Sequence, residues 1–114
     1  MKLLLVDDNE RIRNVMMRIY SSHFDEVIEC SDGTEAVTAF HENDPDWVVM
    51  DIQMKIMDGL EATTKIISLR PDAKVIIVSQ YDDESTIEKA MKAGALEFVS
   101  KENLSEVIEV IKKY

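Results

Sequence analysis

Short apolar runs punctuate this chain, and most of them end at a polar or charged residue. Residues 3–6, 48–50 and 75–78 are apolar throughout, which fits strands buried on both faces. Two weaker runs complete a set of five predicted strands: 3–6, 26–30, 47–50, 74–78 and 96–99. Between them, apolar positions recur every three or four residues. Ile12, Val15, Met16 and Ile19 mark the buried face of a first helix starting near Glu10. Ala36, Ala39 and Phe40 mark a second helix, and Leu60, Ile66 and Ile67 a third. Ile87, Ala90 and Met91 mark a fourth, and Leu104, Val107, Ile108 and Ile111 a fifth.

Start and stop signals agree with this reading. Asp7-x-x-Glu10, Asp32-x-x-Glu35, Asp58-x-x-Glu61 and Asn103-x-x-Glu106 each read as a capping box. Pro45 and Pro71 end the second and third helices, since proline lacks an N–H and restricts the residue before it. Gly94 follows the fourth, where a left-handed backbone suits glycine. Lys112 and Lys113 complement the dipole of the fifth. Strict alternation of strand and helix predicts an α/β fold, a doubly wound five-stranded parallel sheet with helices on both faces. Right-handed crossovers follow. No repeat or linker interrupts the pattern, so residues 1–114 are expected to form one domain.

Composition narrows the function. No apolar run is long enough for a transmembrane helix. The leader-like residues 3–6 are too short for a signal peptide and run into Asp7-Asp8, so a cytoplasmic location without a membrane partner is expected. The single Cys30 excludes an internal disulfide and a cysteine-based zinc cluster, and reads as a buried thiol. His23 and His41 show no metal-ligand spacing. A net charge of -10 argues against direct nucleic-acid binding, which needs a basic surface.

In a parallel sheet all carboxyl ends lie along one edge, where open α/β folds place their ligand sites. The residues there are Asp7-Asp8, Asp51, Ser79 and Ser100-Lys101. Three carboxylates in one crevice repel one another and raise at least one pKa unless a cation holds them. An all-oxygen donor set favours Mg2+ over zinc. A metal beside Asp51, the Lys101 ammonium and the Ser79 hydroxyl would together stabilise a transferring phosphoryl group. The chemistry suggested is attack of a carboxylate on phosphorus, giving an aspartyl phosphate. Taken singly, Asp7 or Asp8 reads equally as a helix cap. Ser79 alone reads as a loop hydroxyl, and Lys101 alone as a solvated lysine. Their joint placement favours function.

These residues resemble the receiver domain of two-component response regulators, over essentially the whole chain. The resemblance rests on Leu5-Val6-Asp7-Asp8, Asp51, Met57-Asp58-Gly59, Ser79 and Lys101, in that order. It implies a flavodoxin-like sheet of strand order 2-1-3-4-5. It implies that Asp51 takes a phosphoryl group from a histidine kinase or phosphotransfer protein in a Mg2+-dependent reaction. Asp8, Asp51 and the Gln53 backbone carbonyl would ligate the ion, with Asp7 acting mainly through water. Ser79 and Lys101 would contact the phosphoryl oxygens, and Ser79 and Phe98 would switch together. Phe98 reads equally well as a core or edge aromatic. The surface of the fourth helix, fifth strand and fifth helix, around Glu88, Lys92, Phe98 and Glu109, would meet a downstream effector or a linked output domain. A phosphorylation-dependent dimer belongs to the same reading. Such a switch catalyses only its own phosphorylation and dephosphorylation.

Three departures from the family pattern stand out. Lys55 replaces a common proline, so a more mobile loop is expected. Glu102 follows Lys101 where proline is common, so a trans bond is expected. Gln80 is bulkier than the usual small residue and is expected to crowd access. Gln53 and Tyr81 flank the site, two residues after Asp51 and Ser79, and Tyr81 is expected to shield the acyl phosphate from water. A phosphorylation-independent module on this fold is disfavoured by the intact acidic set. A Mg2+-dependent phosphohydrolase would need a general acid and usually a cap domain, for which the chain has no room.

Overall fold

Five parallel strands form one sheet in the computed structural model, which describes residues Met1 to Tyr114. The chain runs β1 (Lys2–Val6), α1 (Glu10–Tyr20), β2 (Glu26–Cys30), α2 (Gly33–Asn43), β3 (Trp47–Asp51) and α3 (Gly59–Leu69). It continues with β4 (Val75–Ser79), α4 (Glu84–Ala93), β5 (Glu97–Ser100) and α5 (Glu106–Lys113). The strand order β2-β1-β3-β4-β5 is the one expected. Adjacent strands pair in parallel, with Val6 opposite Met50, Asp51 opposite Val78 and Ser79 opposite Ser100. The order reverses between β1 and β3, which places the ends of those two strands at the topological switch point.

The two-residue period of the strands divides the core in two. Leu4, Val6, Val48, Met50, Val75 and Ile77 face one way, against Ala36 and Phe40 of α2, Ala62 and Ile66 of α3, and Ala90 of α4. Leu3, Leu5, Val49, Ile76 and Val78 face the other, against Met16 and Tyr20 of α1 and Val107 and Ile108 of α5. Burial on both faces explains why β3 and β4 read as unbroken apolar runs. Tyr20 donates its hydroxyl to the Leu104 carbonyl at 2.7 Å and so ties the end of α1 to the start of α5. Burial pushes the Tyr20 pKa up. Cys30 is buried as expected, and chiefly through that burial its thiol is pushed up to about 12.

Several local expectations need correction. Asp7 does not cap α1; Asn9 does, accepting from the N–H groups of Arg11 and Ile12. Asn103 does not cap α5 either. Residues Lys101–Asn103 form a 3₁₀ turn, and the cap position falls on Ser105, whose side chain makes no capping bond. The other two boxes hold through their first residue: Asp32 accepts from Glu35 N–H and Asp58 from Glu61 N–H, both at 2.9 Å. Val15 and Met91 are exposed, not core, whereas Met16 and Tyr20 of α1 and Ala90 of α4 are fully buried. Strands β4 and β5 lie one residue later than the apolar runs suggested, so Ser79 and Ser100 are strand residues.

Gly94 has φ +109° and closes α4, as its sequence position predicted. Gly59 has a tighter role. A Cβ there would lie 1.8 Å from the backbone carbonyl oxygen of Asp51, so α3 begins in direct contact with the end of β3. Overpacking of this kind forces the backbone apart. Gly59→Ala is expected to destabilise the fold by about 3 kcal/mol, read from the midpoint of urea unfolding. A loss of under about 0.5 kcal/mol, within the range of ordinary surface substitutions, would show that the β3–α3 junction yields.

Candidate functional site

Asp51 is the last residue of a strand that is buried along its whole length. Its side chain is almost fully buried, and so is that of Asp7, just past the end of β1. Asp7 is hydrogen-bonded through its backbone and through Oδ1, while the buried Oδ2 has an ion contact alone. Its N–H donates to the Cys30 carbonyl at 3.1 Å, and its Oδ1 accepts from the Asn9 N–H at 2.9 Å. Its Oδ2 lies 2.9 Å from Lys101 Nζ, and its carbonyl accepts from Arg13 Nη1 at 2.6 Å. Lys101 Nζ also lies 3.1 Å from Asp51 Oδ1, so one ammonium bridges two buried carboxylates. Asp8 is exposed beside them, and oxygens of Asp7, Asp8 and Asp51 lie within 4.8 Å of one another.

This geometry sets the charge states. Burial raises the Asp51 pKa to about 6, the Asp7 charge adds to the rise, and Lys101 opposes it. Repulsion between the acids is therefore present, though desolvation outweighs it. Burial alone would lower the Lys101 pKa, but the Asp7 and Asp51 carboxylates outweigh that and hold it above the ordinary lysine value. Three carboxylates face one ammonium, which leaves surplus negative charge on a set of hard oxygen donors. That donor set suits a divalent cation such as Mg2+.

Ser79 is buried at the end of β4, and its Oγ accepts from the Tyr81 N–H at 3.1 Å. The hydroxyl hydrogen is left to donate. Lys101 opens the 3₁₀ turn after β5, where Ser100 Oγ accepts from the Glu102 N–H at 3.2 Å. All peptide bonds are trans, including Lys101–Glu102, as expected without proline there. In the loop after β3, Met57 N–H donates to the Lys55 carbonyl at 2.8 Å. Ile56, at the apex of that turn, has φ +69°.

The cleft over Asp51 measures about 160 Å³. Asp8, Gln53, Ser79, Tyr81 and Lys101 line it with Asp51, as the sequence placed them. Gln80 and Asn9 line it too. The Asp7-x-x-Glu10 pattern places the cap two residues earlier than Asn9, where it lies. Asparagine directly before the first helical residue was the signal available. Gln53, Ser79 and Tyr81 also border a second cavity of about 300 Å³, which Leu60, Thr86 and Lys89 help to line. Phe98 does not reach the cleft. It sits half-buried on β5 opposite Ile77, packed against the core on the side of α2, α3 and α4.

The family model of the response regulator receiver domain matches residues 3–112. The chain belongs to this family. Receivers of this kind are the phosphoaccepting switches of two-component signalling. This receiver is 41% identical over 100 residues to the chemotaxis protein CheY of Halobacterium salinarum, covering 88% of this chain and 83% of that one. It is 39% identical over 115 residues to the CheY of Listeria monocytogenes, covering 99% and 97%. Its fold superposes with a TM-score of 0.90, at 27% identity, on a structure of the CheX–CheY–BeF3–Mg2+ complex from Borrelia burgdorferi. That match covers 99% of this receiver and 87% of the other chain.

The raised Asp51 pKa makes a prediction for the receiver without metal. A carboxyl whose folded pKa lies above its unfolded value adds stability below about pH 4 and loses it as the pH rises through about 6. Asp51→Asn, which keeps the neutral shape, should therefore stabilise the EDTA-treated protein at pH 7.5 by roughly 1–3 kcal/mol. The gain should shrink toward pH 4. Urea unfolding at several pH values measures it, and a gain independent of pH would contradict the assignment.

Proposed function

We propose that Asp51 is the phosphoacceptor of this receiver and that residues 1–114 work as one domain around it. The observation that carries the reading is the Lys101 ammonium, held between the buried carboxylates of Asp7 and Asp51 at the sheet's switch point. With a pKa of about 6, Asp51 is largely ionised at neutral pH and able to act as a nucleophile. One of its oxygens attacks the phosphorus of the donor, and the bond from phosphorus to the donor's imidazole nitrogen breaks. Lys101 and the Ser79 hydroxyl contact the phosphoryl oxygens. Asp8, Asp51 and the Gln53 carbonyl would hold Mg2+, with Asp7 acting through water. A divalent ion held there would supply positive charge beside the transferring phosphoryl group.

The donor in this reading is a histidine kinase or phosphotransfer protein. No helix is long and apolar enough to cross a membrane, and we assign the receiver to the cytoplasm. Ser79 adjoins both the cleft and the second cavity, which leaves space for it to move toward the phosphoryl group. In this reading Phe98, half-buried on β5, turns inward on phosphorylation, and α4, β5 and α5 signal to an effector, an output domain or a second receiver. Gln53 and Tyr81 control how long the acyl phosphate survives. Turnover is confined to the receiver's own phosphorylation and dephosphorylation.

Intact-mass measurement after incubation with acetyl phosphate and MgCl2 tests the reading. Wild type should gain one phosphoryl group, and the gain should vanish without Mg2+ and in Asp51→Asn. An adduct that persists in Asp51→Asn would place the acceptor elsewhere. For Tyr81→Ala, loss of the adduct should be several-fold faster than in wild type. An unchanged hydrolysis rate would remove the shielding role.

A further inference from the structure

Asp8 is the acid of the cluster with the least support. Asp7 is held by hydrogen bonds at its N–H, its carbonyl and Oδ1, and Asp51 sits at the end of a buried strand. The Asp8 carboxylate is exposed and makes neither a hydrogen bond nor an ion pair. With no side-chain partner, what the protein fixes of Asp8 is the backbone that carries it, including the peptide plane that joins it to Asp7.

That plane is held by Arg13. The residue lies one turn into α1, and its side chain folds back over the helix start, as long helical side chains do. Nη1 donates to the Asp7 carbonyl oxygen at 2.6 Å, while Nε donates to Glu29 Oε1 of β2 at 3.1 Å. The guanidinium is mostly buried, with 17% of the side chain exposed. A cation at a helix N-terminus opposes the helix dipole, so ordinary helix electrostatics does not account for its place there. A guanidinium can make two bonds in fixed, divergent directions, which a lysine cannot reproduce. One arm of the fork is taken by Glu29 and the other by the carbonyl of the Asp7–Asp8 peptide.

We propose that Arg13, oriented by Glu29, is a positioning residue that aims Asp8 into the Mg2+ site. This inference rests on the metal reading given under Proposed function. It follows that Arg13 strengthens cation binding although it carries a positive charge next to the site. Charge and geometry thus predict opposite signs. If Arg13 acted only through its charge, removing it would tighten Mg2+ binding. If it only stabilised the fold, affinity would stay unchanged in the folded protein.

Isothermal titration calorimetry with MgCl2 on the whole chain separates these outcomes. Arg13→Gln should weaken Mg2+ binding about tenfold, the usual effect of losing a group that orients a metal ligand. Arg13→Lys should not restore it, and Glu29→Gln should weaken binding by a smaller factor. In an Asp8→Asn background, Arg13→Gln should add less than a twofold effect, because its route runs through Asp8. Tyr20→Phe, which perturbs the α1–α5 tie away from the cluster, should leave affinity unchanged. Tighter or equal binding in Arg13→Gln, or full additivity with Asp8→Asn, would overturn the positioning role while leaving the site itself intact. Should Arg13→Gln fail to fold, Glu29→Gln decides, and unchanged affinity there overturns the role. If wild type and Asp51→Asn bind Mg2+ alike, the metal reading itself fails and the positioning role falls with it.

Discussion

A single ammonium between two buried carboxylates governs the working end of this molecule. Lys101 arrives from the far side of the sheet, after β5, and reaches across β4 to the ends of β3 and β1. Without it, Asp7 and Asp51 would be two unscreened charges in a region nearly closed to water, a costly arrangement. With it, they are close enough to repel and supported enough to persist. The sheet is parallel because its connections are helical crossovers, and parallel strands deliver all three residues to one edge. Core packing and site chemistry are two results of the same topology.

The neighbouring structure serves to hold that edge still. Gly59 lets α3 begin against the backbone of Asp51, and Asn9 caps α1 while its own N–H donates to Asp7. Ser100 caps the 3₁₀ turn that Lys101 opens. These contacts use small residues and backbone groups, which leave no slack for a side chain to wander. The loop around Ile56 is different. An isoleucine with φ +69° and 87% exposure is strained and unpacked, and it sits on the rim formed by Asp8, Asp32 and Lys55.

Much of this was legible in the sequence because the signals were long-ranged and redundant. Five apolar runs and their separating periodicities specify strand count, sheet type and the common edge, and Asp7, Asp8, Asp51, Ser79 and Lys101 follow from reading what stands at each run's end. Strand order was different, since spacing does not encode it; it entered with the family resemblance. Local signals misled where two patterns competed. Asp-x-x-Glu and Asn-x-x-Glu matched a capping box at both Asp7 and Asn103, yet Asn9 outcompeted the first and a 3₁₀ turn replaced the second. Val15 fitted the helical stripe, but Met16 and Tyr20 are the residues of α1 that are fully buried. Arg13 was invisible, because nothing in its spacing announces a bond to a backbone carbonyl.

Trp47 opens the strand that Asp51 closes, four residues and about 13 Å away. Its ring is 1% exposed and meets the ring of Tyr114 edge-on at 6.3 Å, with Lys74 lying over it. The chain's only tryptophan therefore borders the end of α5, at the opposite pole from the acids. Its emission is a natural optical readout of how α5 is seated, and it is insulated from direct quenching by anything bound in the cleft. Light from this residue reports the far end of the molecule.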